Sequence, residues 1–287
     1  MRDMFLYSNA AYCDIQMIST WSCKQCKSAD SSLVMSEIKQ INDEYGNLFG
    51  YIGVNRNRII LAFRGTQNLP NVLTDVNYVL DKYKTKKGIE FGIHRGVKQA
   101  VESLLSVTIE HLKYFKGKYK NMPNIPIYIT GHSLGGSLAN LMTMRLEDLE
   151  YIKWENTRLY TFGQPRVGDQ NYANYINSQS KLTYRRVVVD QDIFTNTPNR
   201  LLGYSHSGHL HFRKNNVEDK SCDKDVEQPR CYNFVNPATI SHHTNYLGYR
   251  MTDNCVKLPV IGEAQKVEII DFSTKAILSM NPFNYYF

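Results

Sequence analysis

The segment that most restricts the fold of this 287-residue chain is "IYITGHSLGGSLANL", residues 127–141. It begins with an apolar run that is typical of a buried strand, and it continues with apolar residues at helical spacing. Ser133 lies where the strand pattern changes to the helix pattern, one residue away from Gly131 on one side and from Gly135 on the other. Two interpretations are open: the glycines form a simple tight turn, or they hold the serine on a strained strand-to-helix turn.

The spacing of the two glycines fits the pattern G-x-S-x-G, in which a serine nucleophile stands on a strand-to-helix elbow of an α/β-hydrolase sheet. A side chain at either glycine would clash with the backbone of a neighbouring strand or helix. The helix that follows offers free backbone N–H groups and the positive end of its dipole, and both favour a developing oxyanion. We therefore predict that Ser133 is a nucleophile for attack on an ester.

A serine hydroxyl needs a base, and in this fold the chain order is Ser, then an acid, then His. Asp192 follows the apolar run 187–189, at the carboxyl end of a predicted strand where open α/β sheets bind ligands. Asp190 is its nearby competitor, and His242 and His243 are candidates for the base. Three further histidines are alternative candidates for the base: His206, His209 and His211. They could also be metal ligands, but no carboxylate or cysteine accompanies them at the spacing of a metal site, so no metal is expected.

The composition is that of a soluble globular protein, with 42% hydrophobic and 21% charged residues. The formal net charge of +7 is compatible with anionic partners. No dense block of Lys and Arg with interleaved aromatic residues occurs, so nucleic-acid binding is not expected, and we interpret the most basic stretch, 81–88, as a polar loop. No apolar run approaches the roughly 18 residues of a transmembrane helix.

Six cysteines lie toward the two ends of the chain, and this even count favours disulfides and an oxidising compartment. Cys23 and Cys26 form a C-x-x-C pair, which could also indicate zinc or redox chemistry. A zinc ribbon needs a second close pair of cysteines, and a redox motif needs a strand before it and a helix after it, so both are less favoured than disulfides. The first 13 residues lack the apolar core of a signal peptide. We therefore expect a secreted protein whose leader is absent from this sequence.

Strand and helix patterns alternate along the chain, which predicts one domain with a largely parallel sheet covered by helices. The predicted elements are a helical start and a cysteine-bearing loop in 1–45, a hairpin at 47–66, an amphipathic segment at 69–80, a helix at 97–115, the strand and elbow at 127–135, a helix to about 149, a strand in 157–168, a helical stretch at 171–179, and a strand that closes on an acidic loop in 183–198.

These features, taken together, resemble one family: the class 3 lipases, which comprise the secreted triacylglycerol lipases of filamentous fungi and related feruloyl esterases. The resemblance covers about residues 5–255. The matching strings are "TWSCKQC" (20–26), "IILAFRGT" (59–66), "IHRGV" (93–97), "TGHSLGGSLANL" (130–141), "LYTFGQPRVG" (159–168), "YRRVVVDQDIFTNTP" (184–198), "GYSHSG" (203–208) and "HTNYLGY" (243–249).

The resemblance implies an α/β-hydrolase fold, with a central, largely parallel sheet flanked by helices and a short lid over the active site. It also implies a triad in which Ser133 is the nucleophile, Asp192 the acid and His243 the base, the last because x-x-Tyr-x-Gly follows it. Thr66 and Leu134 match the residues of the oxyanion hole. By the same comparison His132 packs beside the nucleophile, and two other histidines are structural: His94 and His206.

The family pattern pairs the cysteines as Cys13–Cys255, Cys23–Cys26 and Cys222–Cys231. The lid position, roughly 67–75, has no Trp and is less bulky than in many members of the family; its candidate residues are Leu69, Pro70, Val72 and Leu73. Residues 1–255 correspond to the single hydrolase domain, and residues 256–287 form a C-terminal extension to which the sequence assigns no role.

The predicted function is that of a serine carboxylester hydrolase that needs no cofactor, and specifically of a triacylglycerol lipase. Its expected partner is an ester lipid at a lipid–water interface, and the expected state is a secreted monomer. A feruloyl esterase and a phospholipase A1 are the alternatives within the family. A non-catalytic binding relative, or a redox or metal protein built on the cysteines, is the alternative from another class.

Overall fold

The computed structural model describes residues 1–24, 26, 31–66, 78–214, 218–222, 239–251 and 255. The predicted lid residues Leu69, Pro70, Val72 and Leu73 lie outside this part of the chain, and so does the extension 256–287. The predicted Cys222–Cys231 pair also lies outside it, because Cys231 is not among the described residues.

Fourteen strands and six helices form the described part of the chain. The strands are β1 (Ser36–Asn42), β2 (Phe49–Asn55), β3 (Arg58–Phe63), β4 (Leu80–Lys84), β5 (Glu90–His94), β6 (Ile127–His132), β7 (Thr157–Phe162), β8 (Gly168–Asp169), β9 (Thr183–Val189), β10 (Tyr204–Ser205), β11 (His209–Lys214), β12 (Glu218–Cys222), β13 (Asn245–Tyr246) and β14 (Tyr249–Arg250). The helices are α1 (Arg2–Ala10), α2 (Ile15–Ser19), α3 (Arg95–Lys118), α4 (Leu134–Asp148), α5 (Gln170–Asn177) and α6 (Ile240–His243).

The central sheet has eight strands in the order β1-β2-β3-β6-β7-β9-β11-β12. The pairs from β3 to β11 are parallel, whereas the outer pairs, β1–β2, β2–β3 and β11–β12, are antiparallel. This arrangement confirms the predicted, largely parallel sheet. Because the strands at its centre run in one direction, their carboxyl ends meet at one edge, where such sheets bind ligands.

Both faces of the central sheet are buried, which is why its strands are nearly continuous apolar runs. Along β3, Ile59, Leu61 and Phe63 join the core on one face, and Ile60 and Ala62 join the core on the other. The first core also contains buried side chains of α3, α4 and α5, and the second contains those of α1. Helices therefore cover the sheet on both sides.

Helix α3 contains the predicted amphipathic segment 97–115 and extends it at both ends. Its buried side chains follow helical spacing, and His94 caps its start: the ring Nδ1 accepts hydrogen bonds from the N–H groups of Gly96 (3.1 Å) and Val97 (3.3 Å). The predicted hairpin is formed by β2 and β3, whose two turn residues, Arg56 and Asn57, have the positive φ angles of 47° and 59° that a tight hairpin turn requires.

A second sheet, in the order β10-β8-β5-β4, was not predicted. Residues 81–84 belong to β4, so the interpretation of 81–88 as a polar loop was wrong for its first half. The tertiary structure explains this: Tyr83 pairs with Phe91 across the strands and their rings lie 5.5 Å apart, and Lys84 forms an ion pair of 2.9 Å with Glu90. These cross-strand contacts stabilise a strand whose own composition is polar.

Two of the expected disulfides are present, Cys13–Cys255 and Cys23–Cys26. The first joins residues 242 positions apart, so it ties the end of α1 to the segment after β14. Such a long closed loop restricts the unfolded chain strongly and thereby stabilises the fold. Among the described helices, none combines the length and the apolar character of a membrane span.

Candidate active site

The turn between β6 and α4 has the geometry of a strained elbow. Ser133 adopts φ 58° and ψ −134°, an uncommon backbone conformation for a residue with a side chain. A Cβ atom at Gly131 would lie 2.0 Å from the carbonyl oxygen of Gly135, and a Cβ at Gly135 would lie 2.2 Å from that of Phe63. Both distances are far below contact, so the two glycines are required where the helix turns back against the strands.

Ser133 is fully buried at the end of β6. Its N–H donates a hydrogen bond of 2.9 Å to the carbonyl oxygen of Phe162, which fixes the elbow to the end of the neighbouring strand β7. Its hydroxyl Oγ has no hydrogen-bond partner among the described residues. A buried, unpaired hydroxyl is uncommon in a folded protein, and it is expected where the group reacts instead of holding structure.

His243 and Asp192 form a buried pair. Nδ1 of His243 lies 2.8 and 2.9 Å from the two carboxylate oxygens of Asp192. Because a carboxylate only accepts hydrogen bonds, Nδ1 carries the proton of the neutral imidazole, and the lone pair lies on Nε2. Nε2 is itself buried without a hydrogen-bond partner in the described chain, so it is available as a base.

The carboxylate of Asp192 accepts two further hydrogen bonds, one from the hydroxyl of Tyr246 (2.5 Å) and one from the N–H of Phe194 (2.9 Å). These donors fix the orientation of the carboxylate. The ring of Phe194 also lies 4.0 Å from the ring of His243, so an aromatic face covers the base. Asp192 and His243 are therefore held on several sides.

Gly163 shows how closely these groups approach the elbow. It directly follows Phe162, to which Ser133 is bonded, and its N–H donates to the carbonyl oxygen of Val187 in β9. A Cβ at Gly163 would lie 2.7 Å from Oδ2 of Asp192 and 3.0 Å from the ring of His243. The ends of β6, β7 and β9 thus bring Ser133, Asp192 and His243 to one edge of the sheet.

The predicted oxyanion residues, Leu134 and Thr66, belong to two segments that adjoin Ser133. Leu134 is the first residue of α4, where backbone N–H groups have no partner within the helix. Thr66 follows Gly65, and a Cβ at Gly65 would lie 3.0 Å from Cβ of Ser133 and 2.7 Å from the carbonyl oxygen of His132. The segment after β3 therefore runs directly beside Ser133.

The rival residues are not members of the His243–Asp192 pair. The pair with His243 is made by Asp192, two residues beyond Asp190. Thr239 caps α6: its Oγ1 accepts a hydrogen bond from the N–H of His242 and lies 2.9 Å from Nδ1 of the same histidine. His206 donates from Nε2 to the carbonyl oxygen of Thr195 (2.7 Å) and so supports the loop after Asp192.

His209 and His211 lie on β11, and the described residues contain no cluster of three or more His, Cys, Asp or Glu that would hold a metal.

Two tyrosines of the site were not predicted, Tyr246 and Tyr12. Tyr246 is the tyrosine of "HTNYLGY", and in the sequence its position only distinguishes His243 from His242. The expectation that His132 packs beside the nucleophile agrees with its position, since its ring lies 4.5 Å from that of His243. His132 also forms hydrogen bonds, to Tyr12 and to the backbone of His243.

Burial lowers the pKa values of His94, His132 and His206 below the ordinary value of 6.5, and for His132 and His206 the pKa lies well below it. For His206 the nearby guanidinium groups of Arg186 and Arg166 act in the same direction. In the unfolded chain each histidine binds a proton near pH 6.5, so below that pH the unfolded state carries more protons than the folded state. The stability contributed by these neutral side chains is complete above pH 6.5 and is lost as the pH falls below it.

We therefore expect the free energy of unfolding in urea to fall between about pH 7 and pH 5, with each such histidine adding up to about 1.4 kcal/mol per pH unit to the slope. The variant His206→Gln keeps a donor for Thr195 and removes one titrating group, so its slope should be smaller by about that amount. Equal slopes for the two proteins would contradict the assignment of His206 as a buried, neutral histidine.

Comparisons with known proteins agree with this geometry. A match to the family described as lipase (class 3) covers residues 60–202. The lipase of Rhizomucor miehei is 31% identical over 235 residues, which make up 80% of this chain and 62% of that protein. A secreted mono- and diacylglycerol lipase of Gibberella zeae is 28% identical over 191 residues, 58% of this chain and 46% of that protein. This chain thus spans less than two thirds of the length of these relatives.

The fold is also that of solved lipases. A triacylglycerol lipase in which a serine protease triad forms the catalytic centre superposes with a TM-score of 0.72 and 26% sequence identity, over 87% of this chain and 94% of that one. The strand order and the elbow are those of an α/β-hydrolase. From the sequence match, the relatives and the fold together, the chain belongs to the class 3 lipase family.

Proposed function

We propose that this protein is a serine carboxylester hydrolase that acts on acylglycerols as a triacylglycerol lipase. The observation that carries the proposal is the buried His243–Asp192 pair at 2.8 Å, whose Nε2 has no hydrogen-bond partner among the described residues, at the same edge of the sheet as the equally unpartnered hydroxyl of Ser133. A hydroxyl, an imidazole and a carboxylate in this order are the components of a nucleophile activated by a base.

In the first step Nε2 of His243 removes the proton of Ser133 as Oγ attacks the acyl carbonyl. Asp192 holds the imidazole in the required tautomer and stabilises the imidazolium that forms. The backbone N–H of Leu134 and the segment at Thr66 stabilise the oxyanion of the tetrahedral intermediate.

When the tetrahedral intermediate collapses, the ester C–O bond breaks and the leaving alcohol takes the proton from His243. A water molecule then attacks the acyl-enzyme with His243 again as base, and the fatty acid leaves as Ser133 recovers its proton. No metal or organic cofactor takes part in these steps.

An exposed apolar turn supports a lipid–water interface as the place of action. Leu201 is 90% exposed and Leu202 is 49% exposed, in a 3₁₀ turn shortly after the loop of Asp192. Large apolar side chains at such exposure are suited to contact with lipid. The two disulfides support action outside the cell, where thiols are oxidised, and we propose that the protein acts there as a monomer.

The experiment that tests this function compares initial rates on emulsified triolein, p-nitrophenyl butyrate, phosphatidylcholine vesicles and methyl ferulate. We expect hydrolysis of triolein to be the preferred reaction and its rate to rise when the substrate passes its aggregation limit. The Ser133→Ala variant, prepared in the same way, serves as the control for contaminating esterases.

Preferred turnover of methyl ferulate would instead make the protein a feruloyl esterase, and preferred turnover of phosphatidylcholine would make it a phospholipase. A folded protein that hydrolyses only soluble esters would contradict the lipase assignment, but it would agree with the proposed catalytic triad. No serine-dependent hydrolysis of any of these esters would contradict the whole proposal.

A further inference from the structure

A second chain of buried hydrogen bonds lies behind the nucleophile. The hydroxyl of Tyr12 is 3.0 Å from Nδ1 of His132, and Nε2 of His132 is 2.8 Å from the backbone carbonyl oxygen of His243. All three side chains are buried. These hydrogen bonds therefore connect Tyr12, in the segment after α1, through His132 to the backbone of His243.

The chemistry of the groups determines where the protons lie. The carbonyl oxygen of His243 only accepts, so Nε2 of His132 carries a proton and donates it. Nδ1 of the neutral ring then accepts from the hydroxyl of Tyr12. Burial lowers the pKa of His132 well below 6.5 and raises the pKa of Tyr12, so both groups remain neutral.

The same series of hydrogen-bonded residues also contacts residues 65–66, the segment that contains the predicted oxyanion residue Thr66. Gly65, which precedes Thr66, packs so tightly against Tyr12 that a Cβ there would lie 2.3 Å from the tyrosine hydroxyl. On its other side Tyr12 is followed by Cys13, which is bonded covalently to Cys255. Tyr12 is thus held by the disulfide and lies between the segment after β3 and the ring of His132.

We propose that Tyr12 and His132 are positioning residues, which hold the backbone of His243 and the oxyanion segment at 65–66 in register with Ser133. The inference rests on the proposed function and adds to it. His243 lies on the short helix α6, whereas Ser133 directly follows His132 at the end of β6, and the hydrogen bond from His132 to the backbone of His243 joins the two elements. Such a connection matters because a displacement of about 1 Å at a reacting group can lower the rate about a hundredfold.

The test begins with Tyr12→Phe, which removes one hydroxyl and retains the ring. We expect kcat for p-nitrophenyl butyrate to fall about tenfold and KM to stay within about twofold, because binding of the substrate is not affected. Tyr7→Phe is the matched control: Tyr7 is a buried tyrosine of α1 whose hydroxyl donates to the carbonyl oxygen of Leu33, away from the site. It should lower the melting temperature and leave kcat unchanged.

Two variants of His132 separate positioning from simple packing. His132→Leu removes both hydrogen bonds and should lower kcat by about a hundredfold. His132→Gln retains a donor for the carbonyl of His243 and should recover part of that loss. Titration with a phosphonate that labels Ser133 counts the competent sites, so that kcat refers to folded enzyme only.

Nuclear magnetic resonance of protein labelled with 15N-histidine provides the second readout. We expect His132 with a protonated Nε2 and an unprotonated Nδ1, and a shift of the Nδ1 resonance in Tyr12→Phe. A protonated Nδ1 would overturn the inference, and so would wild-type kcat in both Tyr12→Phe and His132→Leu. If Ser133→Ala were fully active, the proposed function itself would fail, which is a distinguishable result.

Discussion

Replacing Ser133 by alanine should lower kcat for ester hydrolysis by about five to six powers of ten, the largest effect expected of any single substitution in this chain. The change removes the oxygen that attacks the acyl carbonyl in the proposed mechanism. Its effect on stability should be small, because Oγ of Ser133 has no hydrogen-bond partner to lose and alanine experiences the same backbone strain at φ 58°. The measurement is kcat on p-nitrophenyl butyrate together with the melting temperature.

Ser137→Ala is the matched control for that variant. Ser137 lies one turn further along α4, is equally buried, and donates its hydroxyl to the carbonyl oxygen of Pro165 (3.2 Å). Loss of this hydrogen bond should lower the free energy of unfolding by about 1 kcal/mol and leave kcat within about twofold of the wild-type value. A Ser133→Ala protein that retains wild-type turnover would overturn the mechanism, whatever the control shows.

Replacing Asp192 by asparagine should lower kcat by about four powers of ten. The carboxylate accepts from three donors: Nδ1 of His243, the hydroxyl of Tyr246 and the N–H of Phe194. An amide has one oxygen and one NH₂ group, so one of these donors must face another donor. The imidazole then changes its tautomer or its orientation, and the lone pair needed on Nε2 is lost.

Asp190→Asn tests whether that effect is specific to the position. It makes the same chemical change two residues away, at a site with φ 43° where asparagine is well tolerated. We expect kcat within about twofold of wild type. If the two variants lose activity equally, Asp192 is not the acid of the triad; the pH dependence of kcat/KM in Asp192→Asn would then resemble that of the wild type.

The parts of the fold that follow from local sequence were predicted well. The buried faces of α3 follow from the spacing of its apolar residues, and the β2–β3 hairpin follows from two alternating strands with a short polar turn. The second sheet was missed because two of its strands, β8 and β10, have only two residues each and form only where other segments meet them. No periodicity exists in so short a stretch.

The candidate site, like the fold, has a part that local sequence predicts and a part that it does not. Local pattern alone predicted Ser133 as a nucleophile on a strand-to-helix elbow. It left the choice between Asp190 and Asp192 open, and it did not distinguish His242 from His243. The family resemblance made those choices, and the hydrogen bonds between Asp192 and His243 agree with them. The disulfide pairing Cys13–Cys255 also came from the resemblance, since the even count of cysteines defines no partners.

By itself, then, the sequence determined the strand-to-helix elbow, because the steric demand for two glycines and the change from apolar strand to helix are properties of neighbouring residues. Only the tertiary structure decided which side chains hold the base. Tyr12 meets His132 across 120 positions, and Tyr246 meets Asp192 across 54. Hydrogen bonds between residues so far apart depend on how strands and loops pack together, and no local pattern in the chain encodes that packing.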